Sequence, residues 1–131
     1  DLDGAASKLR TMGVAYVLFA WENPAEFALM NRCREGPVSS RSGQGASPLT
    51  GYGAFQALVD ALVACQDAGL VPKGDVQPLA LSAWSMVHGL AVLITEGPLQ
   101  QLAASREAVE GMARTVTTTL WDGLLRRRDA V

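Results

Sequence analysis

Trp84 to Gly97 reads WSMVHGLAVLITEG, within a run from Val76 to Thr95 that holds no Asp, Glu, Lys or Arg. A helix of that composition has almost no face that water favours, so the spacing predicts a helix buried among partners. Ser82, Ser85 and Gly89 stand at i, i+3 and i+7, aligning small residues down one face where another helix backbone can approach closely. Trp84 and His88 lie one turn apart on a different face, and their ring nitrogens need partners if they are enclosed. A bilayer is the other solvent such a helix could suit. Leu79 to Thr95 is barely long enough for that. It carries Ser82, Ser85 and a central His88, and it lacks flanking Lys/Arg clusters and an aromatic belt. Burial in a soluble core fits better, and no membrane partner is expected.

Outward from this segment the chain reads as helices joined by short breaks. Ala5 to Trp21 presents Leu9, Met12, Tyr16 and Phe19 at helical spacing. Glu22-Asn23-Pro24 breaks it, with Asn23 as N-cap, Pro24 as first helical residue and Glu26 completing a capping box. The short helix that follows turns Phe27 and Met30 inward and ends near Arg34. Glu35 to Pro48, EGPVSSRSGQGASP, reads as a flexible loop. A helix over Thr50 to Ala68 carries Phe55, Leu58, Val59, Leu62 and Cys65. Gly69 closes it in the left-handed conformation, and Leu70 supplies the apolar residue that usually follows. Asp75 caps the charge-free helix and Gly97-Pro98 stops it. The last helix runs from about Ser105 to Arg127, with Val109, Met112, Val116 and Leu120 in one stripe. Ala104, Ala108, Gly111, Thr115 and Thr118 form a second stripe of small residues. The fold class is all-α, about five helices with no strand and no internal repeat.

At 131 residues the chain reads as a single domain, apolar for a soluble protein, with 49% hydrophobic and 18% charged residues. That shortage of charge suggests a large area covered by a second subunit. Two small-faced helices meeting their copies across a two-fold axis would build an intermolecular four-helix bundle. The expected interface is Ser82, Ser85 and Gly89 with Ala108, Gly111, Thr115 and Thr118; packing of the two helices within one chain is the alternative. A net charge of −2 argues against this chain gripping a phosphate backbone. Arg126 to Arg128 form the only basic cluster and decorate a helix C-terminus, where positive charge complements the dipole. Cys33 and Cys65 fall on separate helices and read as reduced thiols rather than a disulfide.

Enzyme chemistry finds little to use. One His and two separated Cys cannot assemble a tetrahedral metal site, and no Gly-rich phosphate loop follows a strand. No cofactor, metal or catalytic residue is expected. Met12, Tyr16, Phe19, Phe27, Met30, Phe55, Leu58, Val59 and Leu62 are numerous enough to fill a core or to line a cavity. Spacing alone favours the filled core.

Trp84, three residues, then His88-Gly89, in an apolar helix ending near Glu96-Gly97, resembles the ligand-sensing half of bacterial tetracycline-repressor (TetR) family regulators. It is most similar to the subgroup named for its Trp-His-Gly signature. AYVLFAWENPAEFALMNR, Ala15 to Arg32, resembles the other recognisable block of that domain. The resemblance implies dimerisation through the last two long helices and an effector held among the first ones. On that reading the soft and aromatic cluster lines a pocket, with Tyr16, Asn31, Trp84 and His88 as its polar fixtures and a hydrophobic or aromatic molecule as ligand. It further implies a cytoplasmic homodimer in transcription regulation, such as a repressor. Operator DNA would then be met only through an N-terminal helix-turn-helix region that nothing in this sequence matches. A helical dimerisation module with a filled core and no ligand is the rival expectation.

Overall fold

A computed structural model describes residues 2–32 and 51–130, with side chains over 4–32 and 53–124. Five α-helices occur among the described residues, and no strand: α1 (Leu2–Glu22), α2 (Pro24–Arg32), α3 (Gly51–Asp67), α4 (Gln77–Thr95) and α5 (Arg106–Ala130), with a short 3-10 turn at Gln100–Leu102. The expected loop over 35–48, the start of α3 at Thr50 and Cys33 lie outside the described residues, as do the side chains of Arg126 to Arg128.

Helix ends follow local chemistry. The Gly69 N–H donates to the Gln66 carbonyl and the Leu70 N–H to the Cys65 carbonyl, both at 2.9 Å, with Gly69 at φ 75°. This is the Schellman closure, and Leu70 packs onto the core beside it. Ser105 accepts the Ala108 N–H at 3.1 Å and so caps α5. Asp75 differs from expectation: the N-cap of α4 is Val76, which makes no side-chain cap bond, and Asp75 accepts the Gln77 N–H at 3.0 Å from one residue further out. Asn23 differs as well. Its side-chain amide donates back to the Phe19 carbonyl at 3.1 Å, because α1 runs on to Glu22 and leaves its last carbonyls to be met.

Helix α1 is the hub, packed against each of the other four. Its two ends meet α5 in antiparallel fashion. The Trp21 indole donates to the Ala103 carbonyl at 3.1 Å and Glu22 pairs with Arg106, while Leu9 at the other end shares a cluster with Trp121 and Leu124. The buried side chains group into a larger cluster around Leu58, Leu62, Leu79 and Trp121 and a second around Val17, Val87, Leu90 and Val109. A third, smaller one joins Ala20, Phe27 and Ala91.

Between the ends, α1 and α5 touch where Gly13 faces Thr117. A Cβ on Gly13 would stand 2.6 Å from Thr117 Cγ2 and 3.3 Å from Val87 Cγ1. Thr117 cannot turn its methyl aside, since its buried hydroxyl donates to the Ala113 carbonyl at 2.9 Å. Gly13→Ala is therefore expected to cost about 1–3 kcal/mol by overpacking, exceeding the helix-propensity gain of up to about 1 kcal/mol. Urea unfolding of the variant reads this directly. Thr117→Ser, which keeps the hydroxyl and removes the methyl, should restore much of the loss, and an unchanged midpoint for Gly13→Ala would refute the close contact.

The charge-free helix is only partly covered by its own chain. Its buried side is Leu79, Ala80, Ala83, Val87, Leu90, Ala91 and Ile94. Leu81 (64% exposed) and Leu93 (39%) stand out to solvent beside the exposed Ser82 and Ser85. By length and composition α4 could cross a membrane, and 39% of that window is buried inside the chain.

Candidate functional site

A cavity of about 370 Å³ opens between α1, α3, α4 and α5, touched at one side by Met30 of α2. Its wall is almost wholly apolar. Helix α1 contributes Leu9, Met12, Tyr16 and Phe19 along one face, at the i, i+3, i+7, i+10 spacing that a helix turns inward. The short side chains of Ala15, Ala54, Ala57 and Ala83 leave the space, and Leu58, Trp84, Val87, Leu120 and Trp121 bound it. A space of this size lies within the range of small-molecule sites.

The polar feature beside the cavity is a pair of rings. Tyr16 Oη and His88 Nδ1 are 2.7 Å apart, joining α1 to α4. Burial pushes the Tyr16 phenol up to about 12 and pushes the His88 imidazolium below its ordinary range. Both groups are thus neutral near pH 7: Tyr16 donates its O–H, and Nδ1 accepts through its lone pair. Around them the aromatic rings interlock. Trp84 stacks on His88 with centroids 6.0 Å apart and planes 13° apart, as i and i+4 neighbours on α4. Phe27 meets Tyr16 edge-on at 5.9 Å, and Phe55 meets Trp84 edge-on at 6.1 Å.

His88 is the single histidine of the chain, so its proton NMR titration is unambiguous. Its folded-state affinity for a proton is depressed, so the unfolded chain binds more protons as pH falls. The stability His88 supports is therefore present above its ordinary value of about 6.5 and lost as pH falls through the lowered one. The melting temperature should drop as pH falls below about 6.5, and His88→Gln should flatten that slope. An equal slope in the variant would assign the loss to carboxylates instead. Tyr16 acts on the alkaline side: its folded value lies above the unfolded value of 10.0, so its share is lost as pH rises through that interval.

Of the residues expected at a ligand pocket, Met12, Tyr16, Phe19, Met30, Leu58 and Trp84 come together on the cavity wall. Phe27, Leu62, Phe55, Val59, Asn31 and His88 do not line it. Phe27 and Leu62 are fully buried in packing clusters, and Phe55 and Val59 pack against the larger of these. Asn31 is exposed on the outer side of α2. His88 stands behind Tyr16 and Trp84, both of which line the cavity. Sequence reasoning missed Gly13, Trp121 and the alanines of α3, whose contribution is the space they leave. Cys65 is a free, fully buried thiol, 3.6 Å from the Ala5 carbonyl to which it donates, and burial raises its pKa.

Of the expected interface residues, Ser82, Ser85, Gly111, Thr115 and Thr118 are exposed, and Gly89 and Ala108 half-buried. Added Cβ atoms on Gly89 and Gly111 would meet nothing within 4 Å.

An all-α chain with an apolar cavity under a long, half-covered apolar helix matches a known family model. Residues 9–116 match the one described as "Tetracyclin repressor-like, C-terminal domain". The chain belongs to the tetracycline repressor-like C-terminal domain family. No curated protein and no solved structure matches it. The match runs from within α1 to the middle of α5, and so covers most of the described residues of the cavity wall; Thr117, Leu120 and Trp121 lie just past its end. A TetR-like C-terminal domain is a regulatory module rather than an enzyme, and transcription regulation and ligand binding are consistent with this family.

Proposed function

We propose that this TetR-like domain senses a hydrophobic or aromatic small molecule in the cavity beside Tyr16 and Trp84, and pairs with a second copy through α4 and α5. The single observation that carries the reading is the 370 Å³ apolar cavity, whose size and lining suit a small hydrophobic molecule. The exposed Leu81, Leu93 and small-residue faces support the dimer. The Trp84, His88, Gly89 spacing supports placing the domain near the Trp-His-Gly subgroup. Residues 1–131 act as one unit, and the setting is the cytoplasm.

Effector binding would favour one arrangement of the dimer and shift the population between DNA-competent and incompetent states. DNA would be contacted through a helix-turn-helix region outside this chain, with two recognition helices set against half-sites about 34–36 Å apart. The acidic balance of the chain agrees with that division of labour.

Titration with the neutral dye N-phenylnaphthylamine tests the reading. Dye fluorescence should rise on binding, and the Trp84 and Trp121 emission should fall, since both line the cavity. Ala57→Trp, which puts a ring into the space from α3, should abolish dye binding and leave helix content unchanged. No dye binding by the wild-type protein, or binding undisturbed by the variant, would favour a filled dimerisation module.

A further inference from the structure

We propose that the cavity selects an amphiphile, an apolar tail carrying one anionic head, and that Arg10 on α1 is the residue that reads the head. This rests on the cavity being a ligand site, as proposed above. Among the described residues lining the cavity, Arg10 is the one with a full charge. Its side chain is exposed, and among the described residues no ion pair involves it. Arg106 and Arg114, by contrast, are committed to Glu22 and Glu110.

Arg10 also belongs to a second hollow, of about 230 Å³, on the outer side of the seam between α1 and α5. That hollow is polar, with the hydroxyls of Ser7, Thr11 and Thr118 and the guanidinium of Arg114 beside Arg10. Arg10 and Thr117 are common to both spaces. Arg10 thus stands, with Thr117, where an apolar compartment borders a hydrogen-bonding one. A molecule with the matching division would set its hydrocarbon part in the cavity and its head at Arg10 on the rim. Its hydrocarbon part gains by leaving water, whereas a carboxylate, sulfonate or phosphate drawn into the apolar space would lose its solvation. The anion therefore stays at the rim, where the planar guanidinium fork can take two of its oxygens. The methylene stem of Arg10 covers the apolar edge while its charged end faces outward.

Calorimetric titration of the protein with decanoate, decan-1-ol and decyltrimethylammonium, each below its micelle-forming concentration, separates tail from head. At low ionic strength decanoate should bind about three- to fivefold more tightly than decan-1-ol, the size of effect an exposed charge pair supports. Decyltrimethylammonium should bind least. The preference for decanoate should vanish in Arg10→Gln and at about 0.5 M salt, while decan-1-ol affinity stays unchanged in the variant. Decan-1-ol binding as tightly as decanoate would overturn the inference and leave the cavity a site for neutral ligands; Arg10→Gln keeping the preference would overturn the role of Arg10. Failure of all three probes to bind would overturn this inference and the ligand reading together.

Discussion

Gly89→Leu or Gly111→Leu is expected to split the proposed dimer while leaving each subunit folded. A new side chain at either glycine meets no atom of its own chain within 4 Å at the Cβ. Leucine is also a better helix former than glycine, by up to about 1 kcal/mol. Inside one subunit the change should thus be neutral or mildly stabilising. Across a two-fold axis the outcome reverses, because Gly89 on α4 and Gly111 on α5 are the points where two helix backbones could come closest. Overpacking such a crossing costs about 1–3 kcal/mol per site, and symmetry places each change in the interface twice. Sedimentation at tens of micromolar should show a dimer for the wild type and a monomer or aggregate for either variant, with unaltered helical circular dichroism. A wild-type monomer would end the proposal. A dimer unaffected by both leucines would place the interface on another face.

The exposure of Ser82 and Ser85 on α4, and of Gly111, Thr115 and Thr118 on α5, was legible in the sequence because a surface pattern repeats along a helix and needs no knowledge of its neighbours. The same is true of the helix ends at Gly69-Leu70 and Ser105, where a few adjacent residues decide the geometry. Asn23 shows the limit of that locality. Its type suits an N-cap, but α1 arrives from the other side and takes its amide at the Phe19 carbonyl.

The cavity was half legible. Periodicity brings Met12, Tyr16 and Phe19 to one face of α1, and nothing in periodicity separates a residue that lines a space from one that fills it. That distinction depends on what stands opposite. Leu58 and Leu62 are one turn apart on α3, yet Leu58 reaches the cavity and Leu62 lies wholly within the packed cluster. The space itself comes from absences: Ala54, Ala57 and Ala83, and a Gly13 that lets α5 approach. Small residues in a helix give no signal of their own until the helix across from them is known. His88 was legible as a polar group that must find a partner. Which partner was a tertiary fact, settled by the 2.7 Å approach of Tyr16 from a helix 72 positions earlier.

Phe27 carries the largest expected loss of any single truncation at the site. Its ring is fully buried between Ala20 of α1 and Ala91 of α4, and it is the one side chain of α2 that is buried. Phe27→Ala should cost about 3–5 kcal/mol, the lost transfer of the ring plus the void it leaves. The edge-on contact with Tyr16 and the 5.5 Å contact with His88 add to the loss, since aromatic pairs are worth about 0.5–1.5 kcal/mol beyond their area. Phe27→Leu, which keeps most of the volume and removes only the ring contacts, should cost markedly less. A second consequence separates this from simple core damage. Phe27 is part of what shields the Tyr16–His88 pair, and burial is what lowers the proton affinity of His88. With the ring gone, water reaches the imidazole, so the single-histidine NMR titration should move back up toward its ordinary range. Denaturant unfolding and that titration, run on the same two variants, check both halves. A cost below about 1 kcal/mol with an unmoved His88 titration would mean that α2 does not buttress the pair. Tyr16 and His88 would then owe their geometry to α1 and α4 alone.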